Sequence, residues 1–194
     1  LLDRFYVPDD AGLEVTSALF DAIAIRYDDL TDCGTNLAVC RRLLNEVSIS
    51  SAPNNRILDF GCGTGVALLA GREPDLQHLH LVGTDASPAM LELAKRRGEV
   101  TMAFRDWQDS PVESFDGAIA AFVLHYGVPG EHIALIANQL REGAVFAANV
   151  FKAPSGLMDR IVRACAQSGL SAKSVEHIDA TAGENLLLTF EKTS

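Results

Sequence analysis

Two carboxylates and three glycines stand at spacings that suit the binding of a nucleoside. Asp59 closes the apolar run Arg56-Ile57-Leu58-Asp59, and glycine then recurs at every second position in Phe60-Gly61-Cys62-Gly63-Thr64-Gly65. Without a Cβ the backbone can take positive φ and approach a ligand closely, while the first N–H groups of a following helix point into the same space. Asp85 lies 20 residues beyond Gly65. A carboxylate at the end of a strand can accept both hydroxyls of a ribose in charge-assisted hydrogen bonds, and on this ground alone adenosine or a nicotinamide dinucleotide would serve equally. His125 is the candidate for proton transfer, because an imidazole can take a proton from a nucleophile near neutral pH. Cys62 has no evident partner base and is not read as a nucleophile.

These residues need strands that stop where the ligand begins and helices that start there. Val66 to Gly71 begins a helix after the glycine loop, Leu79 to Gly83 is a short apolar strand, and Ser87-Pro88 has the form of an N-cap followed by proline at the first helical position. Val100 to Phe104 and Phe115 to Phe122 read as further strands, and Ala144 to Phe151 as a central strand buried on both faces. Ile133, Ile136, Ala137 and Leu140 mark an amphipathic helix. Upstream, residues 1–14 form an arm, Leu19, Ile23, Tyr27 and Leu30 share one helical face from Thr16 onward, and Leu37, Cys40, Leu44 and Val47 share another. A helix through Leu157, Ile161, Ala164 and Cys165 precedes two closing strands, Ala172 to Ile178 and Asn185 to Phe190. Repeated strand–helix alternation implies a mainly parallel sheet covered on both faces.

The stretch Asp59-Phe-Gly-Cys-Gly-Thr-Gly65 resembles the first motif of the class I S-adenosylmethionine-dependent methyltransferases, acid-x-G-x-G-x-G. The dinucleotide fingerprint places its third glycine three positions after the second, whereas Gly65 comes two after Gly63. Val82-Gly-Thr-Asp85-Ala-Ser-Pro-Ala-Met90 resembles the second motif, and the match implies Asp85 on the ribose with Ala86 and Met90 beside the adenine. Phe104-Arg-Asp106-Trp107 matches the position whose acid and following N–H address the adenine in this family; the same residues also suit an acid capping a turn beside a partly buried Trp. Phe115 to Tyr126 resembles the strand-four motif, which implies Ala120, Ala121 and Phe122 along the methionine and acceptor wall, while Asp116 at its far end reads as structural. In Ile25-Arg-Tyr27-Asp28 the aromatic before an acid resembles the N-terminal helix of small-molecule members, where it nears the methionine end; a core aromatic fits as well.

The resemblance implies an α/β, Rossmann-like, seven-stranded, mostly parallel sheet with helices on both faces and a C-terminal antiparallel hairpin. It divides one domain, residues 1–194, into an N-terminal arm and lid helices at 1–52, a cofactor-binding core at 53–151, and a C-terminal helix and strand pair at 152–194. The implied activity is methyl transfer from S-adenosyl-L-methionine to a small-molecule acceptor by in-line displacement, leaving S-adenosyl-L-homocysteine. Tyr27, Asp59, Gly61, Cys62, Gly63, Asp85, Ala86, Met90, Asp106, Trp107, Ala121 and Phe122 would hold the cofactor, with His125 as a base. An inactive cofactor-binding module acting through a protein partner, an enzyme modifying a protein side chain and a nicotinamide-dependent reductase are the other readings.

Composition narrows the partners. Lys and Arg total 16 against 26 Asp and Glu, a formal charge of −10 that repels a polyphosphate and argues against nucleic acid. Hydrophobic residues reach 48%, yet no uncharged apolar run nears the roughly 20 residues of a membrane span, and no signal segment opens the sequence. Cys33, Cys40, Cys62 and Cys165 form neither a C-x-x-C pair nor a zinc spacing, which predicts reduced thiols, no metal and a cytoplasmic location. The oligomeric state and the atom methylated stay open.

Overall fold

The computed structural model describes residues 12–48, 55–98, 100–104, 115–126, 128, 130–152, 155–178 and 185–193. Its sheet runs in the order β3-β2-β1-β4-β5-β7-β6, built from β1 Asn55–Phe60, β2 Leu79–Asp85, β3 Val100–Ala103, β4 Phe115–Ala120, β5 Leu140–Phe151, β6 Leu170–His177 and β7 Asn185–Lys192. The first five strands pair in parallel, and β7 is antiparallel to both β5 and β6. Chain order reverses at β1, which has β2 on one side and β4 on the other. Open α/β sheets leave a crevice at such a switch point, beyond the carboxyl ends of the strands.

Alternation along each strand builds two cores. Ile57, Ile119, Ala147 and Leu187 face one side and pack under α3 (Cys33–Ser48) and α4 (Val66–Ala70), with Val39, Leu43, Leu44 and Val47 as the buried stripe of α3. Their neighbours Leu58, Ala118, Phe146 and Leu188 face the other side, against α6 (Gly130–Gln139) and α7 (Leu157–Gln167). Successive strand residues point to opposite faces, so burial of both members of each pair marks a strand covered on both sides. Each such buried aliphatic or Phe side chain contributes roughly 1.5–3 kcal/mol. Asp116 anchors the far end of β4, accepting the Arg56 backbone N–H at 2.9 Å and an ion pair from Arg141.

Two expectations are corrected by the structure. The single helix expected around Leu19 to Leu30 is broken into α1 (Gly12–Ile23), a 3-10 turn (Ala24–Arg26) and α2 (Tyr27–Leu30). Arg26, at φ −105° and ψ 1°, leaves helical geometry; Ile25 is left 90% exposed while Tyr27 turns inward. Leu140, expected to end α6, instead opens β5, because it pairs with Phe115 and is buried there. The segment joining the last two strands, 179–184, lies outside the described residues. Among the described residues no helix is long and apolar enough to cross a membrane.

Candidate functional site

The glycine loop is stitched to its neighbour strand through its own backbone N–H groups. Gly61 and Cys62 donate their N–H groups to the Thr84 carbonyl at 2.8 and 2.9 Å, and Gly61 and Gly63 take φ of 71° and 52° to do so. The Gly63 N–H donates to Asp85 Oδ2 and the Ser87 N–H to Asp85 Oδ1, both at 2.8 Å. Burial raises the Asp85 pKa, and these backbone bonds pull it back down. Each carboxylate oxygen keeps a further lone pair for an incoming hydroxyl. Ser87 caps α5 (Pro88–Ala94), its Oγ accepting from the Met90 N–H at 3.1 Å.

Above this loop lies a cavity of about 360 Å³. Gly61, Gly63, Asp85, Ala86 and Met90 line its floor, Ala121, Phe122 and Val123 one wall, and Phe60, Phe104 and His132 the end beside β3. Helix α1 covers it. Ser17 donates from Oγ to the Ala86 carbonyl at 2.9 Å, while Asp21 Oδ1 accepts from Ser87 Oγ at 2.5 Å and from the Ala89 N–H at 3.0 Å. Phe20 meets Tyr27 and Tyr126 edge-to-face, with ring centroids at 6.0 and 5.3 Å, so that aromatic rings from cover and floor close together. Asp28 accepts from Thr64 Oγ1 at 2.8 Å and pairs with Arg97, tying the cover to the glycine loop. Tyr27 stays a neutral phenol: burial raises its pKa most, and negative charge on Tyr126 and Asp85 would add to the effect.

A side chamber of about 40 Å³ shares Tyr27, Gly61, Gly63, Ala121 and Phe122 with the main cavity and reaches Asp59. Asp59 is 1% exposed and its Oδ2 has no hydrogen-bond partner. Burial, then the charge of Asp85, push its pKa up to about 7. The thiols of Cys40 and Cys62 border the same chamber, both held neutral chiefly by burial. Phe122, a non-glycine residue at φ 57°, is held by Asn149 Oδ1, which accepts its N–H at 2.7 Å; the Asn149 amide then donates to Asn185 Oδ1 at 2.9 Å.

Of the residues singled out in the sequence, Tyr27, Gly61, Gly63, Asp85, Ala86, Met90, Ala121 and Phe122 meet around the main cavity, and Asp59 and Cys62 around the side chamber. His125 sits on the 3-10 turn Leu124–Tyr126 outside the cavity lining, 4.2 Å from the Tyr126 ring, with Nδ1 unpartnered and its pKa lowered by burial to about 4. Asp106 and Trp107 lie outside the described residues. Ser17, Phe20, Asp21, Tyr126, His132 and Asn149 escaped the sequence reading. The aromatic Phe20, one turn before the Ala24 break, and Ser17-x-x-x-Asp21 on one helical face are the signals that carried some of this information. Among the described residues no three His, Cys, Asp or Glu gather as a metal site.

Comparison with known proteins bears on this geometry. A family described as a methyltransferase domain matches residues 57–143, which hold the glycine loop, Asp85 and the Phe122 wall. The chain is 36% identical over 122 residues to the ubiquinone/menaquinone biosynthesis C-methyltransferase UbiE of Geotalea daltonii, covering 56% of this chain and 51% of that protein. It is 32% identical over 148 residues to the O-methyltransferase rstn1 of Aspergillus nomiae, covering 68% of this chain and 65% of that one. The chain thus spans about half to two thirds of the length of these curated relatives. In fold it is similar to the N-methyltransferase NodS of Bradyrhizobium japonicum, solved with S-adenosyl-L-homocysteine, at a TM-score of 0.71 and 18% identity over 92% of this chain and 99% of that one. The glycine loop and the strand-end Asp85 lie within the segment that matches the methyltransferase domain, residues 57–143, and the chain is similar in sequence and in fold to S-adenosylmethionine-dependent methyltransferases.

Proposed function

We propose that the chain binds S-adenosyl-L-methionine in the covered cavity and transfers its methyl group to a small-molecule acceptor, leaving S-adenosyl-L-homocysteine. The observation that carries this reading is the meeting of Gly63, Asp85 and Asp59, whose Oδ2 has no hydrogen-bond partner, around adjoining chambers. Residues 53–151 act as the cofactor-binding core and the N-terminal helices as its lid. A Cβ built on Gly63 would meet nothing within 4 Å, so the loop borders open space where a ligand can lie against backbone. Asp85 would hold the ribose and Met90, 1% exposed, would give the adenine a polarizable face. Asp59 would complement the cofactor's ammonium group across the side chamber.

The cofactor supplies an already activated methyl group on a sulfonium. What the chain adds is alignment and exclusion of water, which need neither metal nor covalent intermediate. Tyr27, Phe20 and Tyr126 close the lid side with aromatic surface, and Phe122 and Val123 form the wall against which an acceptor is pressed. A largely apolar cavity of about 360 Å³ favours a small molecule over an extended polymer. The four free thiols fit a reducing cytoplasm. His125, neutral at pH 7, acts as a base only if its turn rotates toward the cavity.

Calorimetric titration with S-adenosyl-L-homocysteine, NADH and NADPH, repeated for Asp85→Ala, tests the reading. Selective binding of the first, weakened at least about ten-fold in the variant, supports it. Binding of the nucleotides alone would sink it. Cofactor binding without methyl transfer to any member of a small-molecule panel would leave a binding module in place of an enzyme.

A further inference from the structure

A polar side chain without a role in that reading stands at the β3 end of the cavity. His132, in the first turn of α6, is 7% exposed and lines the cavity. Its ring packs edge-to-face on Phe104 at 5.0 Å and tilts toward Phe60 at 6.3 Å. It makes no hydrogen bond with another described residue. Neither ring nitrogen is sealed off, so both open onto the cavity, where a ligand can complete their hydrogen bonds. Burial also keeps the ring below its ordinary pKa, partly offset by Glu131, so it faces the cavity as one N–H donor and one acceptor nitrogen.

The position fixes which part of a cofactor it would meet. Asp59 and Phe122 border the chamber at β1 and β4, Asp85 ends β2, and Phe104 follows β3 at the sheet edge. A nucleoside whose ribose lies on Asp85 and whose amino-acid end lies toward Asp59 carries its base toward β3. We propose that His132 is an adenine-recognition residue, hydrogen-bonding the polar edge of the purine beside Phe104 and so favouring an adenosyl group over other nucleosides. This rests on the cofactor reading above.

The test titrates wild type, His132→Phe and His132→Gln with S-adenosyl-L-homocysteine, its S-inosyl analogue, in which the amino group is replaced by an oxo group, and its 7-deazaadenosyl analogue. Wild type is expected to prefer the parent over at least one analogue by roughly ten-fold, the scale of one hydrogen bond. In His132→Phe that preference collapses toward one and parent binding weakens by a similar factor, while His132→Gln, which keeps a donor and an acceptor, recovers part of both. Thermal unfolding checks that the variants fold, and His132→Leu replaces His132→Phe if the latter does not. Parent binding with the same preference in His132→Phe or His132→Leu as in wild type overturns this inference alone. No parent binding to wild type overturns it together with the cofactor reading.

Discussion

Asn149 and Phe122 are joined by a 2.7 Å hydrogen bond from the Phe122 N–H to the Asn149 side-chain oxygen, linking the C-terminal end of β5 to the turn that follows β4. Phe122 pays for its left-handed φ of 57° with about 1–2 kcal/mol, and the buried Asn149, 0% exposed, is what holds it there. Replacing Asn149 by Ala leaves that N–H unsatisfied, at about 1–3 kcal/mol. We expect a Tm lower by at least about 2 °C and weaker binding of S-adenosyl-L-homocysteine, read by thermal unfolding and calorimetry. An unchanged affinity would remove Asn149 from the site's supporting frame.

Gly61 and Gly63 should respond differently to a methyl group. A Cβ at Gly61 would meet Val123 Cγ2 at 2.6 Å, whereas one at Gly63 would meet nothing within 4 Å. Both positions have positive φ, so each Ala carries a strain of about 1–2 kcal/mol. Gly61→Ala should lose further stability through overpacking. Gly63→Ala should fold yet lose at least about ten-fold in cofactor affinity, because its methyl enters the ligand's space. Tm and Kd measured on both variants separate the two effects.

Asp59 predicts a pH dependence with a definite sign. Its folded pKa of about 7 lies above the unfolded value of about 3.9, so between these values the native chain holds the extra proton and stability falls as pH rises. The slope reaches about 1.4 kcal/mol per pH unit and vanishes above the folded pKa. Asp59→Asn should therefore be more stable than wild type at pH 8, by a margin that shrinks toward pH 4. For binding the sign reverses. An ammonium group beside Asp59 favours the ionised form, so affinity should tighten as pH rises through about 7 with release of up to one proton, a signal that calorimetry in buffers of different ionisation heat detects and that Asp59→Asn abolishes.

The cover should be separable from the core. Helix α1 contains no fully buried residue and holds on through Ser17 and Asp21. Elements with little buried surface open at low free energy. Asp21→Ala should speed dissociation of S-adenosyl-L-homocysteine several-fold in stopped-flow while moving Tm by less than about 2 °C. A large loss of Tm with unchanged dissociation would make α1 part of the fold and not a lid.

What could be read from the sequence was local chemistry. The glycine spacing, the Ser87-Pro88 cap and the acid at the end of β2 depend on neighbours within a few residues; the structure brings Gly61, Gly63 and Asp85 to one cavity and starts α5 at the cap beside it. Asn149 escaped because it sits inside the apolar run Ala144 to Phe151 and its partner Phe122 is remote in sequence. His132 immediately precedes the periodic residues of α6, so helical periodicity passed over it. The broken helix α1–α2 keeps a period compatible with one continuous helix, and only the inward turn of Tyr27 distinguishes the two. His125 was singled out by residue type; which way its short turn faces is settled by packing, which residue type does not encode.

Two of the three bonds between α1 and the start of α5 end on main chain, on the Ala86 carbonyl and the Ala89 N–H. Main-chain groups persist whatever side chains surround them. Helix α1 is therefore addressed to the shape of the core more than to its sequence, which makes it an interchangeable part: helices with different inner faces can be grafted before residue 24 to change the acceptor while Tyr27, Asp28 and the cofactor-binding half stay as they are.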